Sequence, residues 1–230
     1  MTYQRKEQIG DCTLYLGDCL EVMPTLDKVD AVVTDPPYGM SFRSNHRAIK
    51  HNAIDNDADV GMLQWACCLK PYHSAYVFCR WDNLAQVPKP RSVITWVKNN
   101  WSMGDLQHEH ARQTELALFY PGPGHIFPKG RPQDVIRAPR TDNNFHPTEK
   151  PVALIRVIVE WTCGLVLDPF MGSGTTGVAC AKLGRKFIGI EIDPDYFEVS
   201  CKRIEEAYRQ PDMFVEKPKE QAKQKSFLDT

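Results

Sequence analysis

The sequence predicts an α/β protein with a mostly parallel, twisted sheet and helices on both of its faces. Three observations carry that prediction. Short apolar runs rich in β-branched residues recur along the 230 residues. Stretches of helical periodicity separate most of them. The residues best able to do chemistry fall just past the ends of these runs, which is where sheets of this kind hold ligands.

Taken in order, Thr13-Leu14-Tyr15-Leu16 alternates as a short strand, Gly17-Asp18 closes it, and a short helix is expected over 19–26. Asp30-Ala31-Val32-Val33-Thr34 reads as a buried strand that stops where Asp35-Pro36-Pro37 forces the chain away from helix. A helix is expected over 58–69, and strands over 75–79, 92–98 and 114–120. From 121 to 147 the pattern dissolves into glycine, proline and basic residues, which reads as an irregular insertion. A helix over 151–161 follows, with Thr148 as a candidate cap and Pro151 in its first turn. Leu165-Val166-Leu167-Asp168 is the next strand, leading through a glycine-rich turn to a helix over 175–183 and a strand over 186–191. Asp193-Pro194 starts the last helix, whose apolar face carries Phe197, Cys201, Ile204 and Tyr208. These elements make one domain over 1–210. The polar residues 211–230 have little to bury and are expected to be disordered.

Composition narrows the function classes. At 42% hydrophobic and 25% charged, the chain has the make-up of an ordinary globular domain. No apolar run approaches the roughly 20 residues that span a bilayer, and residues 1–6 lack a signal peptide's apolar core. No membrane role is expected, and the compartment reads as cytoplasm, or a host's cytoplasm for a phage-encoded chain. The 8 cysteines include no Cys-x-x-Cys pair, so reduced, mostly buried thiols are expected. His108-Glu109-His110 lacks the spacing of a helical zinc site, and no metal is expected. A net charge of −1 does not advertise nucleic acid. Arg43, Arg47 and Lys50 nevertheless form an acid-free basic run, and Lys129, Arg131, Arg137 and Arg140 form a second cationic set. Basic loops on a neutral body can serve phosphate contacts.

Two clusters carry chemistry. Asp168-Pro169-Phe170-Met171-Gly172-Ser173-Gly174-Thr175-Thr176-Gly177 joins a strand to a helix through closely spaced glycines, which let backbone amides approach a ligand. Glu191, at the end of the following strand, stands where such a unit accepts hydrogen bonds from ribose hydroxyls. No Gly-Lys-Ser/Thr follows, so this is not a nucleoside-triphosphate loop. A tight turn without a ligand fits the same residues. The second cluster is Asp35-Pro36-Pro37-Tyr38. Methylating an aromatic amine needs acceptors aimed at its two N–H bonds, to stabilise positive charge as the nitrogen pyramidalises. Asp35 can supply a carboxylate and Pro36 a carbonyl, Pro37 stiffens the loop, and Tyr38 offers a flat face for a flipped base. A proline-rich turn with a capping aspartate suits the bare tetrapeptide equally well.

Taken together, Asp35-Pro36-Pro37-Tyr38, His146-Pro147-Thr148-Glu149-Lys150-Pro151 and Asp168-Pro169-Phe170-Met171-Gly172-Ser173-Gly174 resemble the amino-methyltransferases of DNA in their circularly permuted, β-group order. There the catalytic loop precedes the cofactor loop. Leu16-Gly17-Asp18-Cys19-Leu20 resembles the strand end that opens this family, and the likeness runs from about residue 13 to about 208. The resemblance implies a Rossmann-like methyltransferase fold with S-adenosylmethionine as cofactor. By similarity Asp18 faces the cofactor's adenine end, with Cys19 packed beside it, and Glu191 faces its ribose. Asp168, Phe170, Gly172 and Ser173 surround the methionine part, and Thr148 and Lys150 hold its carboxylate end. Cys19, Asp35, His146, Gly174, Thr175 and Ile192 complete the expected cofactor-binding set. No thiol nucleophile is expected, because the methyl passes directly to the amine.

The implied substrate is double-stranded DNA carrying a short target sequence. Recognition is expected from loops at about 41–57 and 99–144, with Arg43, Arg47 and Arg131 on phosphates or base edges. The aspartate that begins the catalytic loop favours N6 of adenine, since related cytosine enzymes more often begin it with serine. N4 of cytosine is the alternative. An alternative of another class is a silent DNA-binding protein on the same scaffold. The resemblance also allows a homodimer.

Overall fold

A computed structural model describes residues 2–37, 60–100, 107–108, 110–141 and 149–210. Its strands are β1 (Arg5–Ile9), β2 (Cys12–Leu16), β3 (Ala31–Thr34), β4 (Ser74–Cys79), β5 (Ser92–Val97), β6 (Thr114–Pro121), β7 (Val135–Arg137), β8 (Val166–Asp168) and β9 (Phe187–Glu191). Its helices are α1 (Cys19–Val22), α2 (Gly61–Cys67), α3 (Val152–Glu160), α4 (Thr175–Lys182) and α5 (Pro194–Arg209). The described strands form one nine-stranded sheet in the order β1-β2-β9-β8-β3-β4-β6-β5-β7. β2, β9, β8, β3 and β4 run parallel. β1 is antiparallel to β2, and β6 is antiparallel to both β4 and β5.

Every residue of β3, β4 and β8 is buried, as continuous apolar strands covered on both faces should be. On one face Leu154, Ile155 and Ile158 of α3, Val178 and Ala179 of α4, and Phe197, Cys201 and Ile204 of α5 pack against the sheet. On the other, Cys19 and Val22 of α1 and Leu63, Ala66 and Cys67 of α2 do the same. The chain winds from β8 through α4 to β9 on one side, and from β3 through α2 to β4 on the other. β8 and β3 are neighbours, so the winding reverses between them. Loops leaving the carboxyl ends of these two strands share the resulting crevice.

Four local features depart from the sequence expectation. β1, Arg-Lys-Glu-Gln-Ile, is a charged antiparallel edge strand, and charge on an edge guards against pairing with another chain. α1 stops at Val22 and passes into a 3₁₀ turn over Met23–Thr25, because Pro24 has no N–H to continue the helix. The insertion after 121 is not wholly irregular, since Val135–Arg137 pairs parallel with β5. Pro151 is the extended N-cap of α3 rather than a member of its first turn, and Thr148 lies outside the described residues. α5 begins as expected: the Asp193 side chain accepts the N–H groups of Asp195 and Tyr196 at 2.8 and 3.1 Å. All eight cysteines are free, six of them buried. Among the described residues no helix is long and apolar enough to cross a membrane.

Candidate active site

Hydrogen bonds close the crevice between β3 and β8. Thr34, the last residue of β3, donates its hydroxyl to Asp168 Oδ1 at 2.7 Å. The Phe170 N–H donates to the same oxygen at 3.1 Å, and the Thr176 hydroxyl donates to Oδ2 at 2.7 Å. Asp168 is buried, and burial pushes its carboxyl up to about 6 against the pull of these three donors. Its oxygens therefore brace the catalytic loop, the glycine turn and the first turn of α4. One residue after Thr34 comes Asp35, so the two motifs meet at Asp168.

Gly172 and Gly174 hold φ of +53° and +83°, the left-handed region that strains other residues. A Cβ on Gly174 would lie 2.7 Å from that of Ser200 on α5. The tight turn aims the Gly172 N–H at Glu191 Oε2, 2.8 Å away, while the Ile192 and Asp193 N–H groups donate to Oε1 at 2.9 Å each. Burial raises the Glu191 carboxyl to about 7, despite these backbone donors. A carboxylate has about four acceptor positions, so the three amides leave room for a ribose hydroxyl. Asp18 caps α1 through the Leu20 N–H at 2.8 Å and lies beside Glu191, because Leu16 and Glu191 are register partners on β2 and β9. Cys19 is buried, and burial pushes its thiol up to about 12, which suits a packing role. Ile192 is exposed at the same rim. Phe170 meets Trp65 of α2 edge to face, with ring centroids 5.9 Å apart.

The dipeptide Glu149-Lys150 staples the two loops together. Arg203 of α5 donates through Nη1 to the carbonyl and hydroxyl of Ser173, at 2.7 Å each, and through Nη2 to Glu149 Oε1 at 2.6 Å. The same Nη1 lies 3.4 Å from Thr175 Oγ1. Lys150 ion-pairs with Asp35 and lies 3.5 Å from Glu115 Oε2, with its ammonium over the Phe78 ring. Glu115 also pairs with Lys98. Burial alone would raise the Glu115 carboxyl, yet Lys150 and Lys98 hold it below its ordinary range. Burial lowers the Lys98 pKa, with Glu115 opposing. Lys150, expected at the cofactor's carboxylate end, thus has Asp35 and Glu115 as partners here.

The structure brings together Asp35, Pro36, Lys150, Asp168, Phe170, Gly172, Ser173, Gly174 and Thr175, with Asp18, Cys19, Glu191 and Ile192 along the adjoining strand ends. Pro37 follows in the same loop. Tyr38, His146, Thr148, Arg43, Arg47 and Lys50 lie outside the described residues. The second cationic set divides. Arg137 closes β7 at the carboxyl end of the sheet, and the Arg140 N–H beyond it bonds Asn99 Oδ1 at 3.2 Å. Lys129 instead pairs with Glu160 at the far end of α3, and Arg131 precedes the amino end of β7. Those positions are about one strand length, ~17 Å, from the crevice rim. Trp96 is core and donates Nε1 to the Ala138 carbonyl at 2.8 Å, whereas Trp81, just past the carboxyl end of β4, is 64% exposed.

Sequence reasoning missed Arg203, Lys98, Trp65 and the charge-pairing role of Glu115. Arg203 had one signal: it extends the buried Tyr196–Ser200–Ala207 stripe of α5 with a charge. Glu115 on β6 and Lys98, one residue past the end of β5, are opposite charges, but only the pairing of the two strands reveals that they meet.

A family model described as DNA methylase matches residues 29–202. YubD of Escherichia coli (strain K12) is 33% identical over 210 residues, covering 82% of this chain and 88% of YubD. The solved M1.HpyAVI-SAM complex is 29% identical and superposes with a TM-score of 0.64, covering 84% of this chain and 99% of that one. The cytosine-N4-specific PvuII DNA methyltransferase superposes with a TM-score of 0.65 over 90% of this chain and 95% of its own; at 16% identity it speaks for the fold alone.

Proposed function

We propose, from the premise that this chain belongs to the N6/N4 DNA methylase family, that it methylates the exocyclic N6 amine of adenine within a short DNA sequence. It is a DNA methyltransferase, and its methyl donor is S-adenosylmethionine. The residues present suit that cofactor: an acid with acceptor capacity beyond its three amides at the end of β9, a tight turn whose two left-handed glycines carry no side chain, and a crevice that Asp35 borders. When bound, it supplies an electrophilic methyl group on a sulfonium.

Asp18 and Glu191 bind the nucleoside part, and the Phe170–Gly174 turn orients the methionine part. The Asp35 carboxylate accepts one N–H of the target amine and the Pro36 carbonyl accepts the other. Together they stabilise the positive charge that develops as the nitrogen bonds the methyl. Tyr38 stacks on the flipped base. Arg137 and Arg140, on the rim, contact the DNA backbone together with Arg43, Arg47 and Lys50; Lys129 and Arg131 lie too far round the molecule to join them. A homodimer is compatible with this reading and is not required by it.

The observation that carries the reading is the Thr34–Asp168 hydrogen bond, which ties the catalytic loop to the cofactor loop. The test is to incubate the protein with labelled cofactor and genomic DNA, then analyse the nucleosides by mass spectrometry. N6-methyladenine is the expected product. N4-methylcytosine would overturn the choice of base, and unlabelled DNA would overturn the activity. Asp35→Ala should abolish transfer while equilibrium cofactor binding survives; transfer at the wild-type rate would remove Asp35 from the mechanism.

A further inference from the structure

Lys98, Glu115, Lys150 and Asp35 form a row of alternating charge that runs inward from the ends of β5 and β6 to the catalytic loop. Lys98 pairs with Glu115, Glu115 lies 3.5 Å from Lys150, and Lys150 pairs with Asp35. The two lysine side chains are only 10% and 6% exposed. Each ammonium also sits over an aromatic ring, Lys98 over Trp96 at 5.0 Å and Lys150 over Phe78 at 5.2 Å. An ammonium on a flexible four-carbon stem is normally a mobile charge. Here ring and carboxylates restrict where it can sit. The formal charges cancel, two against two, so no member is buried with its charge uncompensated. Other titratable groups that bear on the row are Asp168 at the end of β8, Cys79 at the end of β4, and Arg140 beyond β7.

We infer that Glu115 and Lys98 are positioning residues for the methyl-transfer step: Glu115, held by Lys98, fixes Lys150, and Lys150 fixes the Asp35 carboxylate that receives the amine. This rests on the reading of Asp35 given above. Glu115 and Lys98 act through Lys150 and Asp35 rather than on substrate or cofactor themselves. Their effect is on where Asp35 points, and misplacing a reacting group by about 1 Å can cost about a hundredfold in rate.

The test is Glu115→Gln, which keeps the side chain's shape and removes its charge. At saturating DNA and cofactor, kcat should fall about ten- to a hundredfold, while cofactor affinity stays within about threefold, roughly 0.7 kcal/mol. Removing a negative charge near Asp35 should also move the acid limb of the kcat–pH profile to lower pH. A reduced fraction of folded enzyme would lower kcat without moving that limb. Wild-type kcat and an unmoved limb would overturn the inference. Should Glu115→Gln fail to bind cofactor, the Lys98 variants decide. Lys98→Arg preserves the charge and should keep kcat near wild type, whereas Lys98→Met should lower it and shift the limb; equal activity of the two would overturn the inference. Failure of the underlying reading is distinguishable, because Asp35→Ala would then transfer methyl groups at the wild-type rate.

Discussion

Glu191 holds its carboxyl in a buried turn where backbone amides are its donors, and burial keeps its pKa up at about 7. Ribose hydroxyls donate best to the ionised form, so cofactor binding should favour loss of that proton. Affinity for S-adenosylmethionine is then expected to rise with pH through about 7 and to level off above it. Stability runs the opposite way. The folded pKa lies above the ordinary value of 4.5, so the stabilising contribution is complete below about 4.5 and is lost as pH climbs through about 7. Glu191→Gln should flatten both dependences and weaken binding about tenfold, the loss of one hydrogen bond to a charged group. Calorimetric titration of cofactor between about pH 6 and pH 8.5 measures this, and a flat wild-type profile would contradict the ribose assignment. Glu191 and the glycine turn were legible from the sequence because each belongs to a contiguous motif at a strand end. Lys98 and Glu115 were not, because their meaning lies in who sits across the sheet.

Arg203 joins α5 to the glycine turn and to Glu149, and all three participants are well buried: side-chain exposure is 12% for Arg203 and 4% for Glu149, and Ser173 is 3% exposed. Removing the guanidinium strands a buried carboxylate, a loss of about 3 kcal/mol or more. For a chain of this size each kcal/mol moves Tm by about 2–4 °C, so Arg203→Met should melt about 6–12 °C below wild type in a calorimetric scan. Arg203→Lys should recover little, since a point ammonium cannot span Ser173 and Glu149 as the planar fork does. An unchanged Tm would show that the junction is held elsewhere. Among elements, the parallel strands were readable because burial on both faces demands unbroken apolar runs. β1 and β7 escaped notice for the opposite reason: an edge strand can be charged, and a three-residue strand can hide in a proline-rich loop.

Across the molecule, the order of the sheet decides which charges can act together. Residues 129–140 look like one cationic set along the chain, yet Arg137 and Arg140 lie at the crevice end and Lys129 and Arg131 at the other. Replacing Arg137 and Arg140 by alanine should weaken DNA binding and reduce the slope of log affinity against log salt by about 1.8, two phosphate contacts' worth. Replacing Lys129 and Arg131 should leave that slope in place. The opposite result, by fluorescence anisotropy across a salt series, would put the DNA on the other end of the sheet. That the catalytic motif precedes the cofactor motif could be read from the sequence, but not that Thr34 and Asp168 bond across neighbouring strands. The most direct test of the whole account is a crystal structure with S-adenosylhomocysteine bound. Its sulfur is expected in the crevice between β3 and β8, facing Asp35 and Pro36, with its ribose on Glu191. A ligand seated away from Asp35, in a cavity that the Phe170–Gly174 turn does not share with the catalytic loop, would contradict it.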